Sequence, residues 1–254
     1  MAITIKSERE IELMAEAGKI LERVHNELEK ALHPGMSTKD IDTLGEKIIR
    51  SYGCIPSFLN YNGYPASICV SVNQEVVHGI PDKHRIIHEG DIVSLDAGVI
   101  YKGYHSDAAR THAVGNISEE AKKLIEVTRR SFFEGIKYAK AGNHLFDISG
   151  AIGRYAEERG YGVVRDLCGH GIGTALHEAP EIPNYEVGRK GVKLRPGMTL
   201  AIEPMINIGT YEVDWLDDDW TVVTRDGSLS AHYENTILIT EGEPRILSLT
   251  CDNE

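Results

Sequence analysis

The feature that most restricts what this chain can fold into is an offset of 107 residues at which it resembles itself. Sliding the sequence by that amount lays Gly35 on Gly142, Asp40 on Asp147, Ile41 on Ile148, Gly53 on Gly160, Gly90 on Gly197 and Asp96 on Glu203. Each copy, approximately residues 10–114 and 119–240, reads as a long amphipathic helix, a glycine turn and a second helix ending at glycine. A strand follows later that starts after glycine and ends at an acid. Two copies are too few for a solenoid. The expected product is one domain over residues 1–254, an α+β fold with approximate two-fold symmetry, its duplicated helix-helix-strand halves set around a central antiparallel sheet. Asp96 and Glu203 then face each other at the shared centre.

A second acid accompanies the first. Gly90 to Asp96 reads as a half-buried strand, and Asp107 opens another run, Asp107 to Val114, after the turn signal Tyr101-Lys102-Gly103. If the turn closes symmetrically between Tyr101 and Lys102, Asp96 and Asp107 are directly opposed, with Cβ atoms about 4.5–5.5 Å apart. Carboxylates that close repel, so one is protonated or a cation lies between them. In another register both acids simply face water.

Two further residues have settings suited to ligands. His170 lies in Cys168-Gly169-His170-Gly171-Ile172-Gly173, where glycines let the backbone approach whatever the imidazole touches. Glu234 lies in the run Ser228 to Thr240, which follows a strand, Trp220 to Thr224, and the turn Arg225-Asp226-Gly227; this reads as a second hairpin carrying an acid. Singly, a strand glutamate is usually solvated and a histidine among glycines is often a loop residue. Jointly, Asp96, Asp107, Glu203 and Glu234 bring four negative charges that two divalent cations would balance. An oxygen-rich set with one nitrogen suits manganese, iron, cobalt or zinc and lacks the thiolates of a structural zinc site.

Composition narrows the partners. A formal net charge of −12 argues against nucleic acid or an anionic membrane. Four cysteines, Cys54, Cys69, Cys168 and Cys251, form no paired motif, and neither a signal peptide nor a membrane-length apolar run is present. A cytoplasmic location is expected.

The ordered set Asp96, Asp107, His170, Glu203 and Glu234 is joined by the phrases Val77-His78-Gly79-Ile80-Pro81, Gly169-His170-Gly171-Ile172-Gly173 and Leu176-His177-Glu178-Ala179-Pro180. Together they closely resemble the type I methionine aminopeptidases, within the wider pita-bread family that includes Xaa-Pro aminopeptidases and prolidases. The resemblance runs from about residue 3 to about residue 249. It implies a pita-bread fold and a two-metal exopeptidase that removes the initiator methionine from nascent proteins and peptides with a small second residue. The alternatives are an Xaa-Pro peptidase and a non-catalytic binding protein of the same fold.

By the same resemblance Asp107 and Glu234 bridge the ions, Asp96 completes one, and His170 and Glu203 complete the other. Glu203 also shuttles a proton, His177 donates to the substrate carbonyl, and His78 holds the neighbouring amide. The methionine pocket maps onto Phe58, Tyr61, Tyr64, Cys69, Leu176 and Trp220, with Phe58 and Leu176 departing from residues common in bacterial relatives. The implied protein is a monomer acting on N-terminal methionine peptides and nascent chains, with at most a transient ribosome contact. Its own start, Met1-Ala2, has the form of a substrate.

Overall fold

Local signals start the helices. Ser7, Ser37 and Ser118 cap α1 (Glu8–Ala31), α2 (Thr38–Ser51) and α3 (Glu119–Ile136), while the His144 N–H donates to Asp147 at the head of α4 (Leu145–Glu157). The structure is a computed structural model and describes residues 3–249, so Met1, Ala2 and Cys251 lie outside the described residues.

The 107-residue offset returns in the backbone. Asp40 and Asp147 each accept from the N–H three residues earlier, at 2.9 and 2.8 Å. Gly35 and Gly142 sit at φ of 93° and 95°, a conformation that favours glycine, and donate to the carbonyls of Ile87 and Leu194 at 2.9 and 3.0 Å. Isolated bridges join Ser37 to Ile86 and His144 to Lys193, again one offset apart. Ile41 and Ile148 both anchor the core.

The strands of the first half are β1 (Ile68–Val72), β2 (Glu75–Val77), β3 (Ile92–Tyr101) and β4 (Tyr104–Ala113). Those of the second are β5 (Gly169–Gly171), β6 (Glu178–Ile182), β7 (Thr199–Ile202), β8 (Met205–Asn207), β9 (Val213–Trp215), β10 (Val222–Thr224), β11 (Ser230–His232) and β12 (Asn235–Leu238). All their pairings are antiparallel: β3 with β1 and β4, β7 with β5 and β12, β5 with β6, and β8 with β11. Helices α1 and α2 bury Leu21, Val24, Ile41 and Ile49 against Ile68, Leu95 and Val99. Helices α3 and α4 bury Phe132, Leu145, Ile148 and Ile152 against Leu200, Ile202 and Ile237. Each such side chain contributes about 1.5–3 kcal/mol of transfer free energy.

The halves are stitched where β4 meets the link between β11 and β12. Ala109 and Glu234 exchange two backbone hydrogen bonds, of 3.4 and 3.0 Å. The Thr236 hydroxyl accepts from the Asp107 N–H and donates to the Asp107 carbonyl, each at 2.9 Å.

The hairpins differ from expectation in two ways. In the first, Tyr101 pairs with Tyr104, so the two-residue turn is Lys102-Gly103, at φ of 49° and 87°. Glycine accepts that conformation where Tyr101 would be strained, and the register slides accordingly. Asp96 therefore faces Ala109, and Asp107 is its diagonal neighbour on the same side of the sheet.

The expected second hairpin does not form. β10 pairs with β9 and β2, because Asp226 accepts from the Thr210 and Ser228 N–H groups and folds the turn back upon the 208–212 segment. The strands after that turn pair instead with β7 and β8, where Met205 faces His232 and Ile202 faces Asn235. This register sets Glu203 opposite Glu234 at the break in the ladder.

Candidate metal centre

Five acceptors converge at the seam. Asp96 comes from β3, Asp107 from β4, His170 from β5, and Glu203 and Glu234 from the two links that interrupt the second ladder. All five line one cavity of about 130 Å³. Ligand atoms of Asp107, His170 and Glu234 lie within 4.8 Å of one another.

Glycine makes room for the imidazole. A Cβ on Gly169 would stand 2.4 Å from the Ala201 carbonyl oxygen, and one on Gly171 would stand 2.1 Å from that of Ala179, so β5 fits between β6 and β7 only without them. The His170 Nδ1–H donates to the Gly171 carbonyl at 2.9 Å, since a carbonyl can only accept. The ring thus turns the Nε2 lone pair inward, 3.8 Å from Asp107 and 3.6 Å from Glu203.

Burial raises the Asp96 carboxyl to about 7. It raises Asp107, Glu203 and Glu234 well above the usual range, helped by their mutual repulsion. Among the described residues neither lysine nor arginine lines the cavity. Asp96 Oδ1, Asp107 Oδ1 and Glu234 Oε1 are buried without hydrogen-bond partners among the described residues. Orphaned, mutually repelling oxygens around an imidazole lone pair fit divalent cations, and no cysteine is among the five acceptors, unlike the thiolate-rich set of a structural zinc site.

The other wall is apolar. Phe58, Tyr61, Tyr64, Cys69, Leu176 and Trp220 line the same cavity, together with His78 and His177. Tyr64 meets Trp220 edge-on, with centroids 5.1 Å apart, and its hydroxyl donates to the Gly79 carbonyl at 2.9 Å. His78 holds a left-handed φ of 60°, uncommon for a residue with a Cβ. Burial and the nearby His177 bring its imidazole down to about 4. His177 packs edge-on to His170 at 4.1 Å and shares a 2.9 Å hydrogen bond with the Tyr61 hydroxyl.

The candidate metal, catalytic and pocket residues named from the sequence thus all line one cavity. Asn62 lines it as well and was not anticipated, although Asn60-Tyr61-Asn62-Gly63 carries a clear turn signal. His232, also not anticipated, lies with its Nε2 3.7 Å from Glu203.

The chain belongs to metallopeptidase family M24, whose model matches residues 12–241. It is 58% identical over 247 residues to a methionine aminopeptidase of Clostridium acetobutylicum, covering 97% of this chain and 99% of that protein. The crystal structure of a methionine aminopeptidase from Thermotoga maritima superposes with a TM-score of 0.96 at 46% identity, covering 98% of this chain and 100% of that one. An Xaa-Pro dipeptidase from Bacillus anthracis has a TM-score of 0.77 at 26% identity, and the match covers 97% of this chain but 62% of the dipeptidase. The fold is that of the pita-bread peptidases, and use of divalent metal goes with the family.

Proposed function

We propose that this chain is a metal-dependent exopeptidase that removes the N-terminal methionine from nascent proteins and from peptides whose second residue is small. The observation that carries this reading is the joining, within one cavity of about 130 Å³, of an acidic cradle to an aromatic and apolar wall. That volume lies well below the roughly 300–1,000 Å³ of sites for drug-sized ligands and suits one terminal residue. The wall suits a thioether, which gains modestly from contact with aromatic rings.

Two divalent ions would be held by Asp96, Asp107, His170, Glu203 and Glu234, all of which line the cavity. Bound there, divalent cations supply charge balance, an activated water for attack on the scissile carbonyl, and an anchor for the substrate's free amine. Glu203 receives the proton released in that attack and returns it to the leaving amine. His177, with Tyr61 donating to its Nδ1, keeps an Nε2–H for the carbonyl oxygen as negative charge develops there. His78, held neutral by burial, retains one N–H for the neighbouring amide. The ion is manganese, iron, cobalt or zinc, and the setting is the cytoplasm, where nascent chains emerge.

The test is a panel of Met-Xaa tripeptides and an Ala-Pro peptide, assayed with each of the four metals. Cleavage of Met-Ala-Ser and not of the Ala-Pro peptide is expected. The opposite result transfers the assignment to the Xaa-Pro peptidases.

A further inference from the structure

His232 carries an unexplained cost. Its ring is 1% exposed, and both nitrogens lack a hydrogen-bond partner among the described residues. A buried polar group left unsatisfied costs about 1–3 kcal/mol, so such a group calls for a reason.

The register of the two ladders supplies one. In the first half Asp96 faces Ala109, and Asp107, two residues before Ala109, is its diagonal neighbour. In the second half Glu203 falls opposite Glu234, and His232, two residues before Glu234, is its diagonal neighbour. His232 thus stands to Glu203 as Asp107 stands to Asp96. The Glu203 carboxylate lies between two imidazoles, Oε1 at 3.6 Å from His170 Nε2 and Oε2 at 3.7 Å from His232 Nε2.

The imidazoles are not equivalent. His170 turns a lone pair inward, whereas no carbonyl fixes the His232 tautomer, so its Nε2 can carry the proton. A shift of roughly 0.5–1 Å closes the contact to hydrogen-bond length. A carboxylate at this position would add a fifth negative charge to a site that two divalent ions leave neutral; an imidazole adds a donor and no charge. The same ring lines a second cavity, of about 450 Å³ between α1, α3 and β4, where Arg110 donates to the Glu234 carbonyl.

We propose that His232 is a positioning residue, donating Nε2–H to Glu203 and fixing the carboxylate for metal binding and proton transfer. The inference rests on the metal roles proposed above, and its test reads metal binding separately from peptide cleavage. Metal-free wild type, His232→Leu and His232→Gln are titrated with Mn²⁺ by calorimetry, and the Mn²⁺-loaded forms are assayed on a Met-Ala peptide. His232→Met replaces the leucine variant if that one does not fold.

His232→Leu is expected to lose roughly 10–100-fold in Mn²⁺ affinity and in kcat, the usual effect of removing a group that orients a ligand, with KM changed less than about three-fold. His232→Gln, which restores an N–H near the same place, is expected to recover most of both. Leucine and glutamine variants equally impaired, or a leucine variant with unchanged affinity and kcat, overturn the proposal. A wild type that binds Mn²⁺ but cleaves no methionine peptide overturns the proposed function instead, and the titrations still decide the role of His232.

Discussion

Glu203 meets the ion site, the proposed proton path and two histidines, so the smallest change there is the most informative. Glu203→Gln keeps one oxygen for a cation but cannot accept a proton. Turnover is expected to fall by about 10²–10⁴-fold with calorimetric metal stoichiometry unchanged; full activity at unchanged metal content would remove the proton-transfer role. His177→Ala should lower kcat by roughly 10²–10³-fold, the loss typical of one oxyanion donor. The five acceptors were legible in the sequence jointly: His170 lies among glycines and Glu203 and Glu234 beside strand ends, whereas Asp96 and Asp107, expected at the end of one strand and the start of the next, stand inside β3 and β4, which run on to the Lys102-Gly103 turn. The roles of Phe58, Tyr61, Tyr64, Leu176 and Trp220 were legible only through resemblance, since an aromatic near a turn has many uses. His232 was not legible: its importance lies in what it faces, and pairing across the 208–229 excursion is invisible to a fixed 107-residue slide.

Helices and turns were the most readable elements. Capping residues and the paired glycines act locally, which is why Gly35 and Gly142 share one backbone conformation. A Cβ on either meets nothing within 4 Å, so alanine there costs only the left-handed strain. Gly35→Ala and Gly142→Ala are each expected to destabilise by about 1–2 kcal/mol, and the double variant by nearly the sum. Chemical denaturation measures all three, and unequal or strongly non-additive losses would contradict the equivalence of the two turns. Gly171→Ala is different in kind, since its Cβ would collide with backbone and displace His170. Calorimetry should show weakened metal binding in that variant. Strand partners were the least readable, because register depends on which residue tolerates positive φ at Lys102-Gly103 and on the Asp226 turn.

For the whole molecule, the carboxyls and histidines of the site pull stability in opposite directions with pH. His78 and His170, lowered to about 4 and about 3 by burial, are neutral in the folded protein while their unfolded forms titrate near 6.5. They therefore add stability as pH rises toward about 6.5 and nothing beyond. Asp96, raised to about 7 from an unfolded value near 3.9, holds in the folded state a proton that the unfolded chain has released. Its contribution falls as pH rises through that window, and Asp107, Glu203 and Glu234, also raised well above the usual range by burial and mutual repulsion, act in the same direction. The metal-free protein should thus lose thermal stability between about pH 6.5, where the histidine gain ends, and about pH 7, while saturating Mn²⁺ should flatten the slope. Scanning calorimetry with and without chelator measures this; a metal-free form that grows more stable across the interval would refute it.

The two hydrogen bonds between Ala109 and Glu234 have a mechanical consequence. They cross from one half to the other, and the ligand residues Asp107 and Glu234 lie on or beside the paired segments. Loosening of these bonds would reach the spacing of the carboxylates directly, since Glu234 itself makes them and Asp107 is two residues from Ala109. Under mild denaturant, turnover should fade while the helical signal is still whole, which makes catalysis the finest gauge of how the two halves are aligned.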